Sequence, residues 1–404
     1  MNNNYIVIDG GVTAPQGFRA AGIHAGIKGK KKDVALLVSD HDCALAGIFT
    51  KNRVFAAPVA LCRERVARGS ARAIVINSGC ANACTGEQGM ADANEMARLT
   101  AEQLGIEANA VCVCSTGTIG LPLPMERIAN GIRDAAAALS DDGGTDAATA
   151  IMTTDTRRKE AAAECLIDGK TVKIGGMTKG AGMICPDMAT MLGFITTDAA
   201  VSQPFLQKAL ARAAAHSFNR ISVDGDQSTN DTVLLLANGA AGNIPVDGNH
   251  PDAGVFTAAL TAVCTALAKA IVLDGEGATK FITVTCRGAK TSGDALAVAR
   301  AVSNSLLVKT AWFGQDPNWG RVVAAAGYSG AELDQSKLEV YYDDLLVFRN
   351  GVPVMQRDLS QLEAVVQKPA FQIIIDLHLG NATETVFTCD CSHEYVNINA
   401  SYMT

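Results

Sequence analysis

The chain has 404 residues, 48% of them apolar and 19% charged, which is enough material for a large buried core in two or three lobes. A formal net charge of -7 argues against a nucleic-acid footprint, which needs a clustered basic surface. The start, MNNNYIVIDGG, lacks the basic flank and apolar run of a secretion signal, and the most apolar run, AALTAVCTALAKAIVL, is interrupted by Lys269 and falls short of the roughly 20 residues that cross a bilayer.

In chain order, VALLVS (34–39), RAIVINSG (72–79) and VCVCSTG (111–117) read as strands ending in turn residues. MADANEMARLTAEQLG (90–105) is predicted helical, because Met90, Ala93, Met96, Leu99 and Leu104 recur at helical spacing and Gly105 stops the run. MERIANGIRDAAAALS (125–140) is a second predicted helix. After residue 185 come a strand ATMLGFITTD, a helix over 203–217, and strands RISVDGD and DTVLLLANG. An alanine-rich helix over 252–270 follows, then FITVTC (281–286), a helix near 293–303, the paired strands LEVYYDD and LLVFRNG, and the strand AFQIIIDLHLG (370–380). The mixture predicts an α+β fold with layered sheets and covering helices, and no repeat or long linker divides it.

Twelve cysteines lie mostly in apolar, strand-like stretches such as Cys112 and Cys114, where cysteine serves as a small buried hydrophobe. Reduced thiols and a cytoplasmic location are the expectation. No paired C-x-x-C and no H-E-x-x-H occurs, the six histidines are scattered, and no metal or cofactor is expected. Lys28, Lys30, Lys31 and Lys32 form the one conspicuous basic run, which reads as a solvated loop. GGMTKGAG lacks the spacing of a phosphate loop.

The segment TKGAGMICPDMATMLGFITTDA (178–199) combines features that packing alone does not request. Gly180, Gly182 and Pro186 constrain a turn before an apolar strand, and Thr190 stands at the head of that strand behind Ala189. A threonine hydroxyl needs a base within hydrogen-bond reach. Cutting the preceding peptide bond would supply one, since the freed α-amine has an ordinary pKa of about 7.7–8.0 whereas an amide nitrogen is no base. From this segment alone, Thr190 as the first residue of an ordinary strand stays open beside the nucleophile.

Longer motifs decide between them. APQGFRAAG (14–22), AGIFTKNRVFAAPV (46–59), INSGCANACTG (76–86), STGTIG (115–120), MTTDT (152–156), KGAGMICPDMATMLGFITTDA (179–199), SFNRISVDGDQSTNDT (217–232), DGEGATKF (274–281), DPNWGRVVAAAGYSG (316–330) and the closing NINASYMT stand in one order along nearly the whole chain. In these the sequence resembles the ornithine acetyltransferase family, the bifunctional glutamate N-acetyltransferases of arginine biosynthesis. Asp187 departs from the asparagine frequent there.

The resemblance implies a self-processing fold of the N-terminal-nucleophile type, cut at the Ala189–Thr190 bond into an α piece, 1–189, and a β piece, 190–404, that form one intertwined catalytic unit. It implies an acetyl-Thr190 intermediate formed from N-acetylornithine and discharged to glutamate, with the Thr116 hydroxyl and Gly117 N–H as oxyanion donors. Thr153, Lys179, Thr190, Glu276, Asn399 and Thr404 match the family's substrate-binding positions. Some members also accept acetyl-CoA as donor, and family precedent is a heterotetramer of two α and two β pieces. A self-processed amidohydrolase or aminopeptidase of the same architecture, with water as acceptor, and a non-enzymatic ligand-binding protein are the competing readings.

Overall fold

The computed structural model describes residues 4–185, 191–354 and 360–401. Contacts divide the chain into two compact units, one built on Met1–Asn219 with Asp226–Ile271, the other on Arg220–Gly225 with Val272–Tyr402. The division does not fall at residue 189; the strands on either side of that position belong to one sheet.

In the first unit, β1 (Tyr5–Ile8), β2 (Phe18–Ile23), β3 (Val34–Phe49), β4 (Ser70–Cys80), β5 (Val111–Thr118), β6 (Lys159–Ile167), β7 (Lys170–Lys179) and β8 (Leu192–Thr197) lie in a single sheet that also takes in a later strand, Thr232–Ala237. Counting β9 (Ile221–Ser222) in the second unit, Thr232–Ala237 is β10. The spatial order is β1-β6-β7-β8-β10-β3-β4-β5, with β2 also on β3. Strand side chains alternate between faces, so Val34, Leu36 and Val38 of β3 join one apolar cluster while Ala35 and Leu37 join another. The helices Gly86–Leu104 and Met125–Ala137 cover the first of these faces with Ala93, Met96, Ile128 and Ile132. Being buried on both sides, the central strands carry near-continuous apolar runs.

The helix Ala253–Leu273 corrects one expectation: it is long and apolar enough to span a bilayer by length and composition alone, despite Lys269. Half of its most apolar window is buried within the protein, and Phe256, Leu260, Leu267 and Ile271 are fully enclosed. Gly176 of β7 makes room for it, since a Cβ there would stand 2.8 Å from Leu267 Cδ1. The helix's remaining face, carrying Thr257, Thr261 and Lys269, is only partly buried.

The second unit is built on β9, β11 (Phe281–Ala289), β12 (Glu339–Tyr342), β13 (Leu345–Arg349), β14 (Val352–Pro353), β15 (Ala370–Asp376) and β16 (Ala382–Cys389), in the order β14-β13-β12-β15-β11-β16-β9. Trp312, Tyr342 and Phe371 anchor its core, with Trp312 edge-on to Phe371 at a centroid separation of 6.0 Å. The expected strand RISVDGD shrinks to Ile221–Ser222, because Gly225 takes a φ of 85° and the chain turns there.

Candidate active site

Four of the sequence-derived residues, Thr116, Gly117, Thr153 and Lys179, come together at one end of the nine-stranded sheet. β4 and β5 run parallel with Asn77 beside Ser115, Ser78 beside Thr116 and Gly79 beside Gly117. At their ends the backbones close in. Gly79 and Gly117 have φ of 107° and 130°, and a Cβ on Gly117 would stand 2.3 Å from the Gly79 carbonyl carbon. Only glycine fits, for steric room as much as for backbone angle.

Buried amides hold this strand end. Asn230 Nδ2 donates to Ala81 O at 2.6 Å and to Ser115 O at 2.8 Å, while Ser115 Oγ donates to Asn77 Oδ1 at 2.6 Å and Asn77 Nδ2 to Cys80 O at 2.9 Å. The peptide leading into Thr116 is thus fixed from two sides, the condition under which a hydrogen-bond donor can be aimed before the substrate arrives. Lys179 Nζ donates to Thr116 Oγ1 at 3.4 Å, and both side chains are buried. With that oxygen accepting from the ammonium, the Thr116 hydroxyl proton is left to point elsewhere.

Asp155 ties the remaining pieces together. Its Oδ2 accepts Thr153 N–H at 2.9 Å; its Oδ1 accepts Gly180 N–H at 2.7 Å and Lys159 Nζ at 2.6 Å. One carboxylate therefore positions the half-buried Thr153 and the turn after Lys179. Burial on its own would push this carboxyl up, but Lys179, Lys159 and the Gly180 N–H together hold it well below the usual carboxylate range.

The stability Asp155 contributes is therefore present above the ordinary carboxyl pKa of about 3.9 and is lost as pH falls below it toward the depressed native value. Removing one partner of a buried ion pair costs about 3–5 kcal/mol. Asp155→Ala should lose that much in urea unfolding at pH 7, and its stability should fall less steeply than the wild type's below about pH 4.

Lys28 corrects the reading of the basic run as a solvated loop. Its Nζ donates to Met152 O at 2.7 Å, one residue before Thr153, and burial lowers its pKa to about 8 against the attraction of Asp33. Ser78 Oγ likewise donates to Ala150 O at 2.5 Å.

On the far side of the turn, β8 pairs antiparallel with β7, with Leu192 opposite Lys179, and parallel with β10, with Leu192 beside Thr232. Met191 N–H donates to Asp231 Oδ1 at 2.9 Å. Ala189 and Thr190 lie outside the described residues, as do Asp187 and Thr404.

Glu276 and Asn399 belong to the second unit, where Asn399 Nδ2 donates to Glu276 Oε2 at 2.7 Å. Glu276 is buried and Asn399 exposed. The loop carrying Glu276 is pinned by Asp390, whose Oδ1 accepts Thr279 N–H at 2.8 Å, and by Ser392 Oγ, which donates to Gly277 O at 2.6 Å. Sequence reasoning missed Asn77, Asp155, Asn230 and Asp231; all four stand inside motifs already quoted, which was the available signal.

Residues 19–404 match the ArgJ family. The chain belongs to the ArgJ family. Among its ArgJ relatives, the arginine biosynthesis bifunctional protein ArgJ of Symbiobacterium thermophilum is 56% identical over 98% of this chain and 99% of its own length. The glutamate N-acetyltransferase of Methanocaldococcus jannaschii is 47% identical over 98% of this chain and all of its own. A crystal structure of the Bacillus halodurans ArgJ protein matches at 41% identity and a TM-score of 0.50, covering 52% of this chain and 98% of the solved one. The α+β fold read from the sequence is thus that of an ArgJ enzyme.

Proposed function

We propose that this acyltransferase of arginine biosynthesis moves the acetyl group of N-acetylornithine to glutamate, through an ester on a Thr190 that self-cleavage has made N-terminal. The observation that carries the reading is the convergence on one sheet end of the Lys179–Thr116 contact, the Gly79–Gly117 approach and the anchored Met191 amide, with Thr190 the residue immediately before that amide. The names of the relatives supply the pathway and the glutamate acceptor. The solved Bacillus halodurans chain, which matches about half of this one while nearly all of itself aligns, supports a cut near the middle.

In this mechanism Thr190 Oγ attacks the acetyl carbonyl while the α-amine takes its proton. The tetrahedral oxyanion accepts from Thr116 O–H and Gly117 N–H, and its collapse breaks the amide C–N bond and releases ornithine with that proton. Glutamate's amine then attacks the ester by the same route in reverse, and Thr190 recovers its hydrogen. Retaining the acetyl group on Thr190 keeps an energy-rich acyl bond from being lost to water. Lys179 supplies an ammonium suited to an amino acid's carboxylate, with Thr153 beside it; Glu276, with Asn399, is the carboxylate that the family resemblance matches to substrate binding. Acetyl-CoA enters the same scheme as a second donor to Thr190; the working assembly is two α and two β pieces in the cytoplasm.

Incubation with acetylornithine, with and without glutamate, tests the reading. Ornithine release beyond a single turnover should require glutamate. Sustained release that ignores glutamate would make the protein a hydrolase.

A further inference from the structure

Two buried carboxyl groups face this end of the sheet, and they are treated differently. Both oxygens of Asp155 are engaged, Oδ1 by Gly180 and Lys159 and Oδ2 by Thr153. Asp231, 1% exposed, uses Oδ1 to accept Met191 N–H, whereas its Oδ2 is buried with no hydrogen-bond partner among the described residues. A buried acceptor left unpaired costs about 1–3 kcal/mol, and an orphan of this kind asks for a functional explanation.

The surroundings of Asp231 define what could answer it. The residue precedes β10, whose Thr232 N–H donates to Met191 O at 3.1 Å, so this stretch and the head of β8 are locked in register. Its own carbonyl accepts Thr50 N–H at 2.9 Å, and the nearby Thr50 hydroxyl spends its proton on Ser228 O at 2.8 Å. Lys179 on β7 is the cation that faces it. Burial nonetheless pushes the carboxyl well above the ordinary range, against the pull of the Met191 N–H and Lys179. In the uncut chain burial thus disfavours the charged form of Asp231, and one of its oxygens is unused.

Met191 N is covalently bonded to the Thr190 carbonyl carbon, so the nitrogen freed by cleavage is the very next one along the backbone. A carboxyl carries two oxygens side by side and can span two successive backbone nitrogens. We infer that Asp231 is a positioning residue for the new N-terminus: Oδ1 keeps the Met191 N–H and Oδ2 receives the α-amino group of Thr190. The inference rests on the self-cleavage reading above. Where Oδ2 carries a proton when the amine is released, that proton passes to the amine; the Oδ2–H bond breaks, an N–H bond forms, and the total charge is unchanged. The resulting carboxylate–ammonium pair fixes the amine beside its own hydroxyl and makes it a stronger base than a free N-terminus.

Asp231→Asn retains an acceptor for Met191 N–H but puts an amide nitrogen, which cannot accept, where Oδ2 stood. N-terminal sequencing of active wild-type protein comes first: absence of a chain beginning at Thr190 would defeat the cleavage reading, independently of Asp231. Given a cut wild type, the cut Asn variant should show a lower kcat, with the acid limb of its kcat–pH profile moved down by at least about one pH unit, because the ammonium has lost its anion. A merely structural role would lower kcat or stability and leave the limb in place, so a cut variant with an unmoved limb overturns the proposal. Should the Asn variant remain uncut, the wild type decides. The pH dependence of amine-selective acylation at its Thr190 terminus, followed by mass spectrometry, should give a pKa above the ordinary 7.7–8.0 of an α-amine, and a value within or below that range overturns the proposal.

Discussion

Thr190→Ala is expected to yield one uncut polypeptide with no measurable acetyl transfer. In the proposed mechanism the substitution removes the hydroxyl that attacks the Ala189–Thr190 bond and the same hydroxyl that later carries the acetyl group, so both events should fail together. It should leave the fold intact, because the sheet around the position is fixed by its neighbours. Met191 N–H is held by Asp231, Thr178 Oγ1 donates to Leu192 O at 2.9 Å, and β8 is paired on both sides. Far-ultraviolet circular dichroism and the unfolding midpoint should therefore match the wild type while activity disappears. Normal turnover in this variant would remove Thr190 from the mechanism.

The second large effect is expected at the oxyanion site. In the proposed mechanism Thr116→Ala deletes one of two donors, and losing such a donor costs about 2.7–4 kcal/mol of transition-state stabilisation, a fall in kcat of roughly 10²–10³-fold. KM should change little, since the oxyanion exists only during the chemical steps. The substitution cuts back a side chain whose hydroxyl accepts from the Lys179 ammonium at a long 3.4 Å, so stability should barely move. Steady-state kinetics with acetylornithine and glutamate checks it, and wild-type kcat would reject the donor role. Gly117 does not offer an equally clean test. A Cβ there would run into the Gly79 carbonyl carbon at 2.3 Å, so Gly117→Ala would disturb the strand end as well as the chemistry.

Strands and helices with strong periodicity were legible in the sequence: VALLVS lies within β3, RAIVINSG within β4, VCVCSTG within β5, and 90–105 falls on the helix Gly86–Leu104. The hairpin β6–β7 was not, for two reasons. KEAAAECLI is rich in alanine and glutamate, which favour helix, and its strand state is imposed by pairing with β1 and β7. The signal that could have found it is the turn Asp168–Gly169, where φ is 51° and 69°, the left-handed pair that a tight hairpin needs.

Of the site, the residues that touch substrate in the proposed mechanism were named from motifs. Those that hold them were not, because their partners are distant in sequence. Asn230 supports Ser115 across 115 positions and Asp155 reaches Gly180 across 25. Lys28 was misread for the same reason, since the carbonyl it meets is 124 residues away.

All of this turns on whether the polypeptide opens between Ala189 and Thr190. An intact-mass spectrum of the purified, active protein, with N-terminal sequencing of each component, reads that directly. The account requires two chains, one ending in Ala189 and the other beginning Thr-Met-Leu; a fully active single chain of 404 residues would contradict it.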